Sequence, residues 1–383
     1  VEAIAAPVER RFERLHPAEL EALVADAPIA WVPVGTLEFH GPHLPFGVDA
    51  FESHGLLRRA AALAGGVVLP PTYLACSCLD MPYTLSFSHE VVAASVRETV
   101  EQLANRGFRM VVVLAGHCPL DLVHLLKRVC AEAAAGRDDL AAYGCCWLEL
   151  NAAGLTGPQE GEPRVVDHAA MVETSWMLAL EPDLVHLDRL SDDPDAPHAG
   201  VYGRNPRFTA SADWGRSTVD AAAALLAQRA ADLLAGGTLD DGGDLRRFVA
   251  CCWPEPLTIA GAEAQDGAAV LGLHNPGRSS RYISELSITV DDERVDPAHV
   301  ELVNLSPGET GVPVTAATLG AEAGFYIRRE QTATLRLPPP APGRHRVRLD
   351  VGLGGVATST IEGHLDVTAS SPSQPALSDT GRR

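Results

Sequence analysis

The sequence predicts an α/β chain. A three-layer α/β/α domain with a mostly parallel sheet spans residues 1–240, an all-β sandwich-like domain spans 247–369, and a polar, disordered tail runs from 370 to 383. Three observations carry this reading. Apolar runs of strand length alternate with helix-period segments through the first 240 residues, the pattern of βα units. Two of those runs, Ile29 to Val34 and Arg109 to Ala115, are almost continuously apolar, as strands covered on both faces must be. From about residue 258 the texture changes to short alternating runs separated by turns rich in glycine, proline and aspartate, as in a sandwich.

The elements follow in order. Residues 8–26 read as a short lead-in and a helix that starts at Pro17, with Leu20, Leu23 and Val24 on its apolar side. The first strand, Ile29 to Val34, is followed by a polar loop and a helix over Asp49 to Ala64. Val67 to Leu69 is a short strand ended by Pro70 and Pro71. Val91 to Asn105 is a helix stopped by Gly107, and Arg109 to Ala115 is the central strand. Leu122 to Ala135 reads as helix, Ala141 to Leu150 as strand, Glu173 to Leu180 as helix and Thr218 to Ala235 as an alanine-rich helix. The later β runs are Thr258 to Ala260, Ala268 to Leu273, Ile283 to Val290, Val300 to Asn304, Gly324 to Arg328, Thr332 to Leu337, His345 to Val351 and Thr358 to Val367.

Composition narrows the function classes. A hydrophobic content of 46% with 21% charged residues fits a globular protein, and a formal charge of −20 argues against nucleic acid or an anionic membrane surface as partner. No apolar stretch approaches the roughly 18 residues of a membrane span. Val1-Glu2-Ala3-Ile4 shows no signal-peptide pattern, so a cytoplasmic location is expected. The eight cysteines form no C-x-x-C pair and read mostly as small buried apolar residues in a reducing compartment. Cys118, directly after His117, stands apart from them.

The chemistry concentrates in Gly35 to Asp49, G-T-L-E-F-H-G-P-H-L-P-F-G-V-D, where a strand hands over to a loop. Glu38 and His40 are two apart and share a side in extended chain. Asp49 returns after a loop held by Gly41, Pro42, Pro45 and Gly47. Two carboxylates and an imidazole converging on one spot suit a divalent cation such as zinc, manganese or iron. A plain solvated loop is the rival reading. A second candidate ligand, His117, follows Gly116 at the end of the central strand; a histidine satisfied by a backbone carbonyl is its ordinary alternative. Glu173 lies in the first turn of a helix, where the dipole keeps a carboxylate ionised; capping that helix is its ordinary alternative.

This stretch resembles the first metal motif of the creatininase (creatinine amidohydrolase) family, G-S-x-E-Q-H-G-x-H-L-P-x-x-T-D. Asp167 to Ser175 resembles the family's D-x-H-A-G-x-x-E-T-S, and A-G-H-C-P-L around His117 resembles its N-G-H-G-G-N or N-G-H-x-E-N. Departures are as specific. Ala115, Pro119 and Leu120 break the third pattern, and Pro119 stands where some members carry a glutamate for the second metal. In Cys76 to Ser86 only Pro82 and Thr84 survive of the usual P-G-T, and since this segment walls the substrate pocket in the family, a difference in substrate is what the resemblance implies.

The resemblance implies a metal-dependent hydrolase acting on a small cyclic amide or a related cyclic carbonyl compound. Glu38 and His117 would hold one metal, His40 and Glu173 the other, and Asp49 would bridge, giving two divalent ions per chain. His168 would carry the proton to the leaving group. A homo-oligomer, a hexamer by the family pattern, is implied as well. Some relatives instead hydrolyse a ring carbon–carbon bond in oxidised inositols. The C-terminal texture, notably I-S-E-L-S-I-T-V-D-D-E-R-V and L-P-P-P-A-P-G-R-H-R-V-R-L, resembles the small β subunit of C-glycoside deglycosidases and leans toward a carbohydrate-derived substrate. A retired hydrolase serving as a binding or assembly subunit is the third reading, motivated by the departures near His117.

Overall fold

The computed structural model describes residues 8–151, 168–239, 257–265, 268–276, 281–283, 285–304, 314–319, 325–327, 331–353 and 357–367. The expected polar tail and the segment linking the two parts of the chain lie outside these residues, as does Asp167. The chain divides into two compact units, one of Val1–Glu255 with Arg278–Tyr282, the other of Pro256–Gly277 with Ile283–Arg383.

The first unit opens with α1 (Pro17–Asp26), whose Glu19 carboxylate accepts from the His16 backbone to close a capping box. It continues through β1 (Ile29–Val34), α2 (Val48–Ala64), β2 (Val67–Val68), α3 (His89–Ala104), β3 (Met110–Ala115), α4 (Leu120–Ala134) and β4 (Ala141–Cys146). Four further helices follow: α5 (Trp147–Asn151), α6 (Met171–Leu180), α7 (Pro206–Thr209) and α8 (Ala212–Leu234). The sheet order is β2-β1-β3-β4 and every pair is parallel. β1 and β3 pair without a slip from Ile29↔Met110 to Val34↔Ala115, and every residue of both strands is buried. That burial is why both read as unbroken apolar runs.

Several bounds need correction, α4 and α6 starting at Leu120 and Met171 rather than Leu122 and Glu173, and three of the corrections have a visible cause. β4 ends at Cys146, and Trp147–Asn151 is a helix rather than four more strand residues. The Trp147 indole N–H turns back to donate to the Gly116 carbonyl at 2.8 Å, and Glu149 accepts from the Cys146 backbone at 2.8 Å, which winds the chain away from the sheet. α8 begins at Ala212, six residues before the expected start, because the Ser211 hydroxyl accepts from the Trp214 backbone and caps it there. α3 likewise starts at His89 rather than Val91, with Ser88 as its cap.

The second unit holds a five-stranded and a four-stranded antiparallel sheet. The first runs in the order Val314–Thr315, Glu301–Asn304, Thr332–Leu337, Ala268–His274, Thr258–Gln265. The second runs Ala357–Val367, Gly343–Leu353, Glu285–Val290, Glu293–Arg294. Leu271, Leu273 and Leu335 from one sheet and Ile288, Leu349, Val351 and Leu365 from the other share one core, as inner faces of a sandwich do.

Candidate metal centre

Strand order reverses between β1 and β3, since β1 leads to a neighbour on one side and β3 to a neighbour on the other. Open parallel sheets form a crevice at such a switch point, beyond the carboxyl ends of the strands. Glu38 and His40 follow β1, and His117 follows β3. The N-terminal turn of α2 closes the crevice and carries Asp49. Its seating depends on two glycines. A Cβ on Gly35 would stand 2.4 Å from the Ala50 backbone nitrogen, and one on Gly116 would stand 1.8 Å from the Asp49 carbonyl oxygen. Only bare backbone at both strand ends lets α2 come this close.

The five sequence-predicted ligands meet here. Glu38, His40 and Asp49 are almost fully buried, and Glu173 is 7% exposed. His40 Nδ1 lies 2.9 Å from the Glu38 carbonyl oxygen, so Nδ1–H donates to it and Nε2 is turned into the crevice. That Nε2 lies 3.2 Å from Asp49 Oδ1 and 3.6 Å from Glu173 Oε2. On the other side, His117 Nδ1 lies 3.1 Å from Glu38 Oε2 and 3.5 Å from Asp49 Oδ2. Asp49 therefore turns one oxygen to each histidine.

The carboxylates are held from outside the crevice. Glu38 Oε1 accepts from the Leu79 backbone at 2.6 Å, and Glu173 Oε2 accepts from the Ala169 backbone at 2.5 Å. Glu173 thus acts on its own helix end and faces His40 as well; the two readings of it are compatible. Thr174 beside it receives His43 Nε2 at 2.9 Å. His43, part of the predicted motif, thereby braces the start of α6.

Electrostatics mark the crevice as cation-seeking. Burial works against the charged form of His40, yet the Asp49 and Glu173 carboxylates outweigh it and raise its pKa to about 10. Burial would raise the Asp49 carboxyl, but His40 and His117 pull it well below the usual range. Three carboxylates against two imidazoles leave negative charge in a buried place. Glu38 Oε2, Asp49 Oδ2 and His40 Nε2 are buried with only these carboxylate–imidazole contacts, and His117 Nε2 has no hydrogen-bond partner, which is costly unless another group satisfies them. Among the described residues, His40, Asp49 and Glu173 form one set of donor atoms mutually within 4.8 Å. The donor chemistry fits a divalent ion such as zinc or manganese.

His168 stands at the rim rather than apart. Its ring stacks on that of His40 at 4.2 Å between centroids, and its Nε2–H donates to the Phe39 carbonyl at 2.8 Å. It forms a further donor group with Glu38 and His40. Burial and the neighbouring His40 lower its pKa to about 4, so it is neutral at ordinary pH.

Two features escaped the sequence. Cys78 groups with Glu38 and His117, and Cys76 groups with His89 and Asp121. Asp121, in the first turn of α4, accepts from Ser77 Oγ and lies 2.9 Å from His89 Nε2. No local spacing links these residues, because the Cys76–Cys78 loop reaches the crevice only through the fold.

Comparison with known proteins agrees with this architecture. The chain is 29% identical to creatinine amidohydrolase of Pseudomonas putida over 214 residues, covering 50% of this chain and 80% of that protein. It is 25% identical to 3-dehydro-scyllo-inosose hydrolase of Thermotoga maritima over 185 residues, covering 46% of this chain and 57% of that protein. A solved creatininase structure described as the manganese form matches with a TM-score of 0.51 at 23% identity, over 59% of this chain and 99% of the other. A creatininase mutant of Zn-Zn type matches with a TM-score of 0.50 at 24% identity, over 59% and 98%. At these identities the two structures speak for the fold. The creatininase family model, described as creatinine amidohydrolase, matches residues 13–236, more than half of the sequence. The chain belongs to the creatininase family.

Proposed function

We propose that the chain is a metal-dependent hydrolase that opens a small cyclic amide or a related cyclic compound by attack of water on a carbonyl carbon. The observation that carries this reading is Asp49, a buried carboxylate whose two oxygens face different histidines. Glu38 and His117 would hold one divalent cation, His40 and Glu173 a second, and Asp49 would serve both. Such cations, when bound, polarise a carbonyl oxygen and lower the pKa of water toward neutrality.

The chain's own residues supply positioning and proton traffic. Leu79 N–H, the Glu38 carbonyl and Ala169 N–H fix Glu38, His40 and Glu173 before any ligand arrives, so little reorganisation remains at the moment of reaction. His168 is neutral and anchored through Nε2 to Phe39, which leaves Nδ1 to take a proton and pass it to the leaving group. The retained donors weigh against a retired subunit.

A second reading changes the bond. The likeness to an inosose hydrolase favours cleavage of a ring carbon–carbon bond in a keto-cyclitol or keto-sugar. The C-terminal unit, with its texture like the deglycosidase β subunit, would then serve selectivity or assembly of a cytoplasmic homo-oligomer. Elemental analysis of the purified protein, followed by turnover of creatinine-like lactams and of diketo-inositols with and without chelator, tests both. About two equivalents of metal and chelator-sensitive lactam opening support the first reading, and diketo-inositol cleavage alone supports the second. A metal-free, active protein would sink both.

A further inference from the structure

We propose that Cys78 supplies a thiolate to the cation held by Glu38 and His117, which makes that half of the crevice selective for thiophilic ions. The inference rests on the metal reading above and adds to it a ligand of a different chemical class. Cys78 Sγ, a Glu38 carboxylate oxygen and a His117 ring nitrogen lie mutually within 4.8 Å. Donors at 2.0–2.3 Å from one tetrahedral ion stand roughly 3.3–3.8 Å apart, so a modest closing motion brings all three onto one centre. Glu38 is fully buried, its Oε2 lies 3.1 Å from His117 Nδ1, and His117 Nε2 has no hydrogen-bond partner.

The loop is shaped to deliver the thiol. Ser77 takes a left-handed φ of 60°, which turns the chain sharply just before Cys78. Leu79, next along, donates its backbone N–H to the other oxygen of Glu38. The loop thus presents both a backbone donor and a sulfur to one carboxylate. Cys78 Sγ also lies 3.3 Å from the buried Thr36 hydroxyl, which can accept from a thiol or turn to donate to a thiolate. Pro119, two residues beyond His117, has no donor to offer. Cys118 is nearer in sequence, but its sulfur is directed to the Gly116 carbonyl at 3.2 Å and is in none of the donor groups.

The two halves then differ in kind. Cys78, Glu38, Asp49 and His117 make four protein donors, the count of a closed site. His40, Asp49 and Glu173 make three, leaving a position for water or substrate. Binding at the first half exchanges the Cys78 S–H proton for the cation and releases that proton. A soft sulfur donor favours zinc over manganese there, whereas the second half remains an oxygen and imidazole site.

The full-length protein stripped by chelation and titrated with cobalt(II) tests the proposal without any substrate. The expected result is a strong near-ultraviolet thiolate-to-cobalt charge-transfer band in the wild type. The band is lost in Cys78→Ser and kept in Cys118→Ser and Cys76→Ser. Competition between zinc and manganese, read by elemental analysis, should show the zinc preference of Cys78→Ser reduced by at least about tenfold, the lower bound for loss of even an outer partner of a ligand. Cobalt bound without the band, or a band that survives Cys78→Ser, overturns the thiolate assignment and leaves the metal reading standing. No cobalt, zinc or manganese bound at all overturns the metal reading and the assignment with it.

Discussion

Gly116→Ala tests whether the position of Asp49 is what makes the crevice a metal site. The added carbon would stand 1.8 Å from the Asp49 carbonyl oxygen and 2.6 Å from its carbonyl carbon. Unbonded carbon and oxygen approach to about 3.3 Å, so α2 or the end of β3 must retreat by roughly 1.5 Å. Both sides of the clash are backbone, and Gly116 is itself pinned. Its N–H donates to Val34 at 2.8 Å and its carbonyl accepts from Trp147 at 2.8 Å. The retreat therefore falls on the first turn of α2 and carries Asp49 away from His40 and His117. Overpacking of this kind costs about 1–3 kcal/mol of stability. A misplacement of about 1 Å at a reacting centre costs on the order of 10²-fold in rate. Thermal unfolding followed by circular dichroism should show a folded but less stable protein, and chelator competition should show weakened zinc binding. A Gly116→Ala protein with wild-type zinc affinity and turnover would refute the claim that close seating of α2 builds the site.

Three further predictions follow from the same geometry. Asp49→Asn should lose both metal equivalents, while Glu173→Gln, which can still accept from Ala169 N–H, should lose about one by elemental analysis; full retention in either would remove that residue from the ligand set. His168→Ala should keep metals and fold while kcat drops on the order of 10²–10⁴-fold, and loss of metal instead would make His168 a ligand. The chelated protein should be most stable near pH 6.5 in denaturant titrations at stepped pH. His43 and His124, both lowered to about 4 mainly by burial, contribute stability that is lost as pH falls from 6.5 toward 4. His40, raised to about 10, contributes stability lost as pH rises from 6.5 toward 10. A flat profile across that range would contradict these assignments.

The strands of the parallel sheet were legible because burial on both faces leaves only apolar choices, as β1 and β3 show. Less legible were places where a tertiary contact overrides local pattern. Trp147 to Leu150 alternates well enough to pass for strand, and the Trp147 bond to the Gly116 carbonyl with the Glu149 bond to the Cys146 backbone explains its helix. The expected start of α8 at Thr218 leaves Trp214 and Gly215 outside the helix. In the fold Gly215 is a helical residue whose missing side chain admits the Ser175 carbonyl, 2.0 Å from where a Cβ would be. A sequence records such a glycine without recording its neighbour.

The candidate site divides along the same line. Glu38, His40 and Asp49 were readable because they lie within twelve residues, and their mutual approach is decided by one strand end and one loop. His117 was readable from its place at the end of a buried strand. Cys78 was not, since it reaches the crevice only once the 75–86 segment has folded against the sheet, and Asp121 meets Cys76 and His89 only through the same folding. One physical feature ties the two classes together. Asp49 is the second residue of α2 and Glu173 the third of α6, so each carboxylate facing His40 sits in the first turn of a helix. The partial positive charge there stabilises an anion by about 0.3–1 kcal/mol, more when partly buried. Two helix ends thus help keep the carboxylates ionised in a buried crevice before a cation arrives.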